Sequence, residues 1–155
     1  MDSAITDQII GCYQKLINAW NNRQARDMAN VFTVDGVQIG FDGSLADGRE
    51  EIFSHISPIF RDHPTAPFVT KIKEINLLNN DTALLRAIAG MVPHGQPDIK
   101  PELNAHQTMV AVHKDGSWHV KLFQNTPAQF HGRPELVEEM TNELREVRNE
   151  GVNDF

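Results

Sequence analysis

Chemistry in this chain would have to come from a short set of side chains. They are a carboxylate at Asp42, imidazoles at His55 and His63, a guanidinium at Arg86, and amides at Gln107 and Gln124. Asp42 follows the alternating run VQIGF (37–41) and shares strand parity with Gln38 and Gly40, opposite to Val37, Ile39 and Phe41. A free aspartate, with a pKa near ~3.9, is a weak base; burial in an apolar hollow raises it usefully. The competing reading is a plain Asp42-Gly43 turn whose carboxylate bonds nearby backbone amides. His55 lies three residues after Ile52 on the apolar stripe of a helix, and His63 lies just past that helix, before Pro64. Imidazole is the side chain suited to proton transfer near neutral pH. The plainer alternatives are a partly buried, hydrogen-bonded ring at either position, or a cation at the helix C-terminus for His63. The two lack the i, i+4 spacing of a helical metal site, and the chain has no other dense set of ligands, so no metal is expected. No glycine-rich dinucleotide loop follows a strand, so no cofactor is expected either.

Arg86 interrupts the apolar run TALLRAIAGMV (82–92). It either pairs with Asp42 or Glu74 inside the fold, faces an anionic group of a ligand, or points to solvent; strand parity alone does not separate these. In WHVKLFQNT (118–126), unbroken alternation places Trp118, Val120, Leu122 and Gln124 on one face and His119, Lys121, Phe123 and Asn125 on the other. The charged pair His119 and Lys121 marks the outer face, so Gln124 is expected to point inward. In AHQTMVAV (105–112), Gln107 shares parity with Ala105, Met109 and Ala111. Two interior amides on neighbouring strands form either a structural hydrogen-bond network or a neutral polar patch for a hydroxyl- or carbonyl-bearing ligand. Beyond Gln124, residues 125–134 read mainly as a connection, with Phe130 and His131 at its rim.

These positions need a scaffold. Ile5, Ile9, Tyr13, Leu16, Ile17 and Trp20 recur at helical steps, which predicts a helix over 4–22 with Ser3 as its cap. A second helix is expected over about 24–32, a strand over 37–41, and a loop at DGSLADG. A third helix over 49–61 carries Pro58, which predicts a kink or early break. Four strands follow, at 68–78, 82–92, 104–113 and 117–125, the outer pairs joined by short hairpins at Asn79-Asn80-Asp81 and Lys114-Asp115-Gly116. A proline-bearing loop (93–103) separates the pairs, a last helix covers 134–149, and the tail GVNDF is expected to fray. Hairpins in series with segregated helices define an α+β class. The expected form is a cone: a strongly curved antiparallel or mixed sheet, three helices on its concave side, and a C-terminal helix.

Composition narrows the partners. The 155 residues suit one domain, 1–155. The net charge of −7, with no cluster of Lys or Arg, argues against nucleic acid. No apolar run approaches the ~20 residues a membrane helix needs, and MDSAITDQII is not built like a secretory signal. A single cysteine, Cys12, fits a reducing compartment. A cytoplasmic, soluble protein is the expectation.

The element order, the AWN segment (19–21) and the run MANVFTVDGVQIGFDGS (28–44) resemble the SnoaL-like branch of the nuclear transport factor 2-like superfamily. GFDGS, DGREEI, FRDHPTAPFV, ALLRAIAGMVP, NAHQTMVAV and LFQNTPAQFHGRPEL resemble, more narrowly, the SgcJ/EcaC-type family. The resemblance covers nearly the whole chain. It implies a homodimer; the candidate ligand-binding residues of the hollow are Trp20, Phe41, Phe60, Arg86, Gln107, Gln124 and Phe130. In ketosteroid isomerase, one member of the superfamily, the base is an aspartate on the first strand; the matching place here is Gly40, with Asp42 two residues on. The isomerase's tyrosine and protonated acid are not reproduced, so ketosteroid isomerisation is not expected. Fold analogy leaves three readings. The first is cofactor-free acid–base catalysis of an isomerase, cyclase or hydratase kind, with Asp42 as base and His55 or His63 assisting. The second is binding of a hydrophobic metabolite without turnover. The third is a module that only dimerises.

Overall fold

The computed structural model describes residues 3–150. Its elements are α1 (Ser3–Asn21), α2 (Ala25–Val31), β1 (Phe32–Ile39), β2 (Leu45–Asp47), α3 (Arg49–Asp62), β3 (Phe68–Asn79), β4 (Thr82–Met91), β5 (Ala105–Lys114), β6 (Ser117–Pro127) and α4 (Pro134–Asn149). The fold is α+β. Six strands form one sheet in the order β2-β1-β6-β5-β4-β3. Neighbours are antiparallel except β1 and β6, which run parallel because the whole hairpin series lies between them in sequence.

Helices α1 to α3 pack on one face. The stripe of α1 buries Ile9, Tyr13, Leu16 and Ile17, and meets Met28 of α2 and Ile52, Ile56 and Phe60 of α3. The sheet answers with Ala83, Leu85, Ala87 and Ala89 of β4, Met109 and Ala111 of β5, and Val120 and Phe123 of β6. The run of small alanines lets helices approach closely, so the space between the layers is set by the few large side chains.

The other face is covered at one end by α4. Met140 and Leu144 pack on Ile88 and Ile99. A Cβ on Gly90 would lie 2.8 Å from Leu144 Cδ1 and 3.1 Å from Asn104 Oδ1, so glycine is what admits the helix there. Asn104 Nδ2 donates to Thr141 Oγ1 (2.9 Å), and ion pairs Lys73–Glu143 (2.7 Å) and Arg145–Asp98 (2.8 Å) fix the flanks.

Several expectations need correction. The strand expected at 37–41 begins earlier, at Phe32, with an irregularity between Phe32 and Val37, so Asp35 and Gly36 lie inside it. Part of DGSLADG pairs as β2. α3 runs through Pro58 to Asp62; a proline interior to a helix removes one N–H and here does not end it. α1 starts at Ser3 itself, so the expected cap falls at the edge of the described residues, and GVNDF lies outside them.

A cavity between helices and sheet

A cavity of ≈290 Å³ opens between α1, α2, α3 and the inner sheet face. Its walls are mostly apolar: Trp20 and Met28 from the first two helices, Ile56 and Ile59 from α3, and Phe68, Met91 and Phe123 from the sheet. Trp20 is held rigidly. Its Nε1 donates to the Ala66 carbonyl (3.0 Å), its ring stacks on Phe68 at 5.1 Å and meets the edge of Phe60 at 5.3 Å. Phe41 lines the cavity too; Phe60 does not, and instead backs Trp20 from the core.

The buried polar part of the lining is two amides, Gln38 of β1 and Asn125 of β6. They are 7 % and 9 % exposed. Gln38 Oε1 and Asn125 Oδ1 are shut off from solvent with no hydrogen-bond partner among the described residues. Buried amides are nearly always bonded; of the several buried side-chain atoms without a hydrogen-bond partner among the described residues, these two acceptor oxygens belong to residues that line the cavity. Their strands are adjacent, with Gln38 in register with Phe123, two residues before Asn125.

Behind this wall lies Gln107, directly across from Asn125 in the β5–β6 register and 1 % exposed. The Tyr13 hydroxyl donates to Gln107 Oε1 (2.5 Å). Thr70 hydrogen-bonds the same hydroxyl, and burial pushes the Tyr13 phenol well above its ordinary range. Gln107 Nε2 has no hydrogen-bond partner among the described residues. Gln107 points inward as parity required, but it stands behind the cavity lining rather than in it.

Asp42 and His55 border the cavity at its solvent edge. Asp42 is exposed and sits in a turn closed by Gly43 N–H to Gly40 O (2.9 Å). Its Oδ1 accepts from Ser44 N (2.9 Å). That backbone bond, then the Ser44 hydroxyl, holds the carboxyl below the usual carboxylate range, with His55 a smaller influence in the same direction. A raised, base-like Asp42 is therefore not what the turn produces.

The remaining candidates lie elsewhere. Gln124 faces outward, where its Nε2 donates to Thr126 Oγ1 (3.3 Å). The cause is a β-bulge: Val110 pairs with Leu122 but Ala111 pairs with Val120, so Lys121 is an extra residue that reverses parity beyond it. Phe123 and Asn125 thereby turn inward in place of Leu122 and Gln124. Arg86 is on the outer face, paired with Glu74 (2.5 Å), its register partner on β3. His63 is exposed past the end of α3, where its backbone carbonyl accepts from Arg23 Nη2 (2.6 Å). Phe130 packs against the Ile88–Leu144 cluster and the His106 ring, not at the cavity rim. Among the described residues no group of His, Cys, Asp and Glu could hold a metal.

Two larger depressions, ≈610 and ≈630 Å³, lie beside the start of β6. Neither is lined by a buried side chain lacking a partner, which is what sets the smaller cavity apart.

The SnoaL-like domain family matches the chain over residues 9–124, and the chain belongs to that family. No curated protein matches it. Among solved structures, a domain of unknown function with a cystatin-like fold from Nostoc punctiforme superposes with a TM-score of 0.78 at 19% identity, over 96% of this chain and 95% of that one. A ketosteroid isomerase-like protein from Erwinia carotovora atroseptica gives 0.64 at 18% identity, over 79% and 95%. An NTF-2 like protein of unknown function from Shewanella oneidensis gives 0.59 at 16% identity, over 78% and 98%. At these identities the likeness concerns the fold. No helix among the described residues is long and apolar enough to cross a membrane.

Proposed function

We propose that this protein binds a small, neutral, largely apolar molecule in the ≈290 Å³ cavity and holds its polar group with Gln38 and Asn125. The observation that carries this is the pair of buried amides with unpaired oxygens on the wall of an otherwise apolar space. At interior packing density, ~0.74, such a volume holds about 210 Å³ of ligand, the size of a one- or two-ring compound. A charged ligand would meet no buried counter-charge, because Arg86 is outside and Asp42 is at the edge.

The chain has two tryptophans, so Trp118→Phe leaves Trp20 as sole reporter. On that background, 6-bromo-1-tetralone should quench Trp20 fluorescence saturably, and Ile59→Phe, which fills the cavity, should abolish the quenching. Quenching that is linear in concentration, or untouched by Ile59→Phe, overturns the assignment.

A catalytic reading rests on Asp42 and His55 both bordering the cavity. In that reading His55 exchanges the proton and Asp42 supplies the counter-charge, with substrate a carbonyl or hydroxyl compound. Asp42→Asn separates the two readings: turnover of a bound compound falls with it, whereas simple binding does not. The finer placement in the SgcJ/EcaC-type family, a single domain over 1–155, a cytoplasmic location and a homodimer belong to the same proposal. For the homodimer, the sheet face left uncovered by α4 carries Ile39, Val110 and Leu122, all half-buried in the monomer.

A further inference from the structure

We infer a second binding site, apart from the cavity, where α1, α2 and the start of β6 meet: a depression of ≈610 Å³ that takes a neutral, hydroxyl-rich ligand, a saccharide. Its rim carries four carboxamides: Asn18 of α1, Asn22 just past the end of that helix, Gln24 at the corner and Asn30 of α2. Lys15, Asn18 and Ala19 share one helix face, which Asn22 continues, and Asp27, Asn30 and Val31 repeat that spacing on α2. Nothing in the fold accounts for these amides. All four side chains are exposed and make no hydrogen bond to a described residue. Gln24 is the N-cap residue of α2, yet its side chain makes no capping bond. Asn18 and Asn30 stand inside helices, where asparagine is a poorer choice than alanine. Local choices that oppose the fold without a compensating contact mark places kept for function.

The lining also fixes the class of ligand. Its one cation, Lys15, and its one anion, Asp27, cancel, although the whole chain carries −7. The buried floor is Ala19 and Val31, too little apolar surface to hold a hydrocarbon. A carboxamide both donates and accepts, as a pair of hydroxyls does; a carboxylate only accepts and leaves the amide oxygens without a partner. One wall is the Trp118 indole, fixed by its Nε1 donating to Gln8 Oε1 (3.1 Å) and by the His113 ring at 5.2 Å. A fixed aromatic wall beside a ring of amides receives the C–H face of a sugar while the hydroxyls meet the amides. At interior packing density, ~0.74, the space holds at most about 450 Å³ of ligand, ample for a disaccharide.

The test titrates maltose, cellobiose and trehalose into the ¹⁵N-labelled full chain, with glutamate as the charged comparison. At least one disaccharide is expected to shift the NH₂ pairs of Asn18, Asn22, Gln24 and Asn30 and the Trp118 indole N–H along one saturation curve, while the NH₂ pairs of Gln38 and Asn125 stay still. Asn18→Ala and Asn30→Ala should each weaken that affinity about three- to tenfold. Both should leave Tm unchanged or higher, which separates loss of binding from loss of fold. Ile59→Phe, which fills the cavity, should leave disaccharide affinity within about twofold, so the two sites stand or fall separately. No saturable shift with any of the three sugars overturns the inference. So does an affinity unaltered in both asparagine variants, or glutamate binding as tightly as the sugars.

Discussion

Asn125→Leu should make the free protein more stable and weaken its hold on a ligand about tenfold. Leucine nearly matches asparagine in shape. The Asn125 side chain makes no hydrogen bond to a described residue, and its Oδ1 is sealed, so the substitution breaks nothing and removes an orphan acceptor. An unsatisfied buried group costs about 1–3 kcal/mol, and its removal returns that amount. For a chain of 155 residues, each kcal/mol moves Tm by about 2–4 °C. A rise of ~5 °C is the expected result, seen by thermal melting followed by circular dichroism. Gln38→Met should act in the same direction, and the two should not simply add, because the side chains share one wall. Ligand narrows the gap. At a free concentration of 100 times the wild-type Kd the wild type gains about 2.7 kcal/mol by mass action, and a variant that binds about tenfold more weakly gains about 1.4 kcal/mol. A fall in Tm for Asn125→Leu without ligand would refute the reasoning, since it would mean that the amide holds the native sheet together.

Three further outcomes follow from the same geometry. Gly90→Ala should destabilise by about 1–3 kcal/mol, because its Cβ would sit 2.8 Å from Leu144 Cδ1; combined with Leu144→Ala the loss should be less than additive in a double-mutant cycle. Acid should loosen α4 first: Lys73 holds the Glu143 carboxyl, and Arg145 the Asp98 carboxyl, below their usual ranges. A depressed folded pKa means that this stabilisation is complete above the unfolded value, near ~4, and lost as pH falls through the folded one; amide protection factors in 134–149 should drop there, and less so in Glu143→Gln with Asp98→Asn. Arg86→Ala and Gln124→Ala should leave tetralone affinity within about twofold, because both side chains are on the outer face; a loss of tenfold or more in either contradicts the placement.

Helices and hairpins were legible because their signals are local. The stripe Ile9-Tyr13-Leu16-Ile17 marks α1, and Asn80-Asp81 and Asp115-Gly116 mark the two turns, each within a few residues. The start of β1 was hidden because Phe32 continues the apolar spacing of α2, and only pairing with Val120 draws it into the sheet. The site was half legible for a related reason. Gln38 could have been found, since it shares parity with Gly40 on a strand already marked as the place for chemistry. Asn125 could not: the extra residue Lys121 exists only in the pairing with β5, and without it alternation assigns the inward amide to Gln124. Arg86 and Glu74 illustrate the same point on the outer face, where register rather than residue type decides that they pair.

The central claim is that Gln38 and Asn125 await a ligand, and the most direct measurement watches their side-chain NH₂ groups. In ¹⁵N-correlated spectra assigned by Gln38→Met and Asn125→Leu, addition of 1-tetralone should shift both NH₂ pairs downfield along one saturation curve, while that of Gln124 stays still. Shifts confined to Gln124 and other outer-face groups, or none at either amide when the cavity is saturated, would contradict the account.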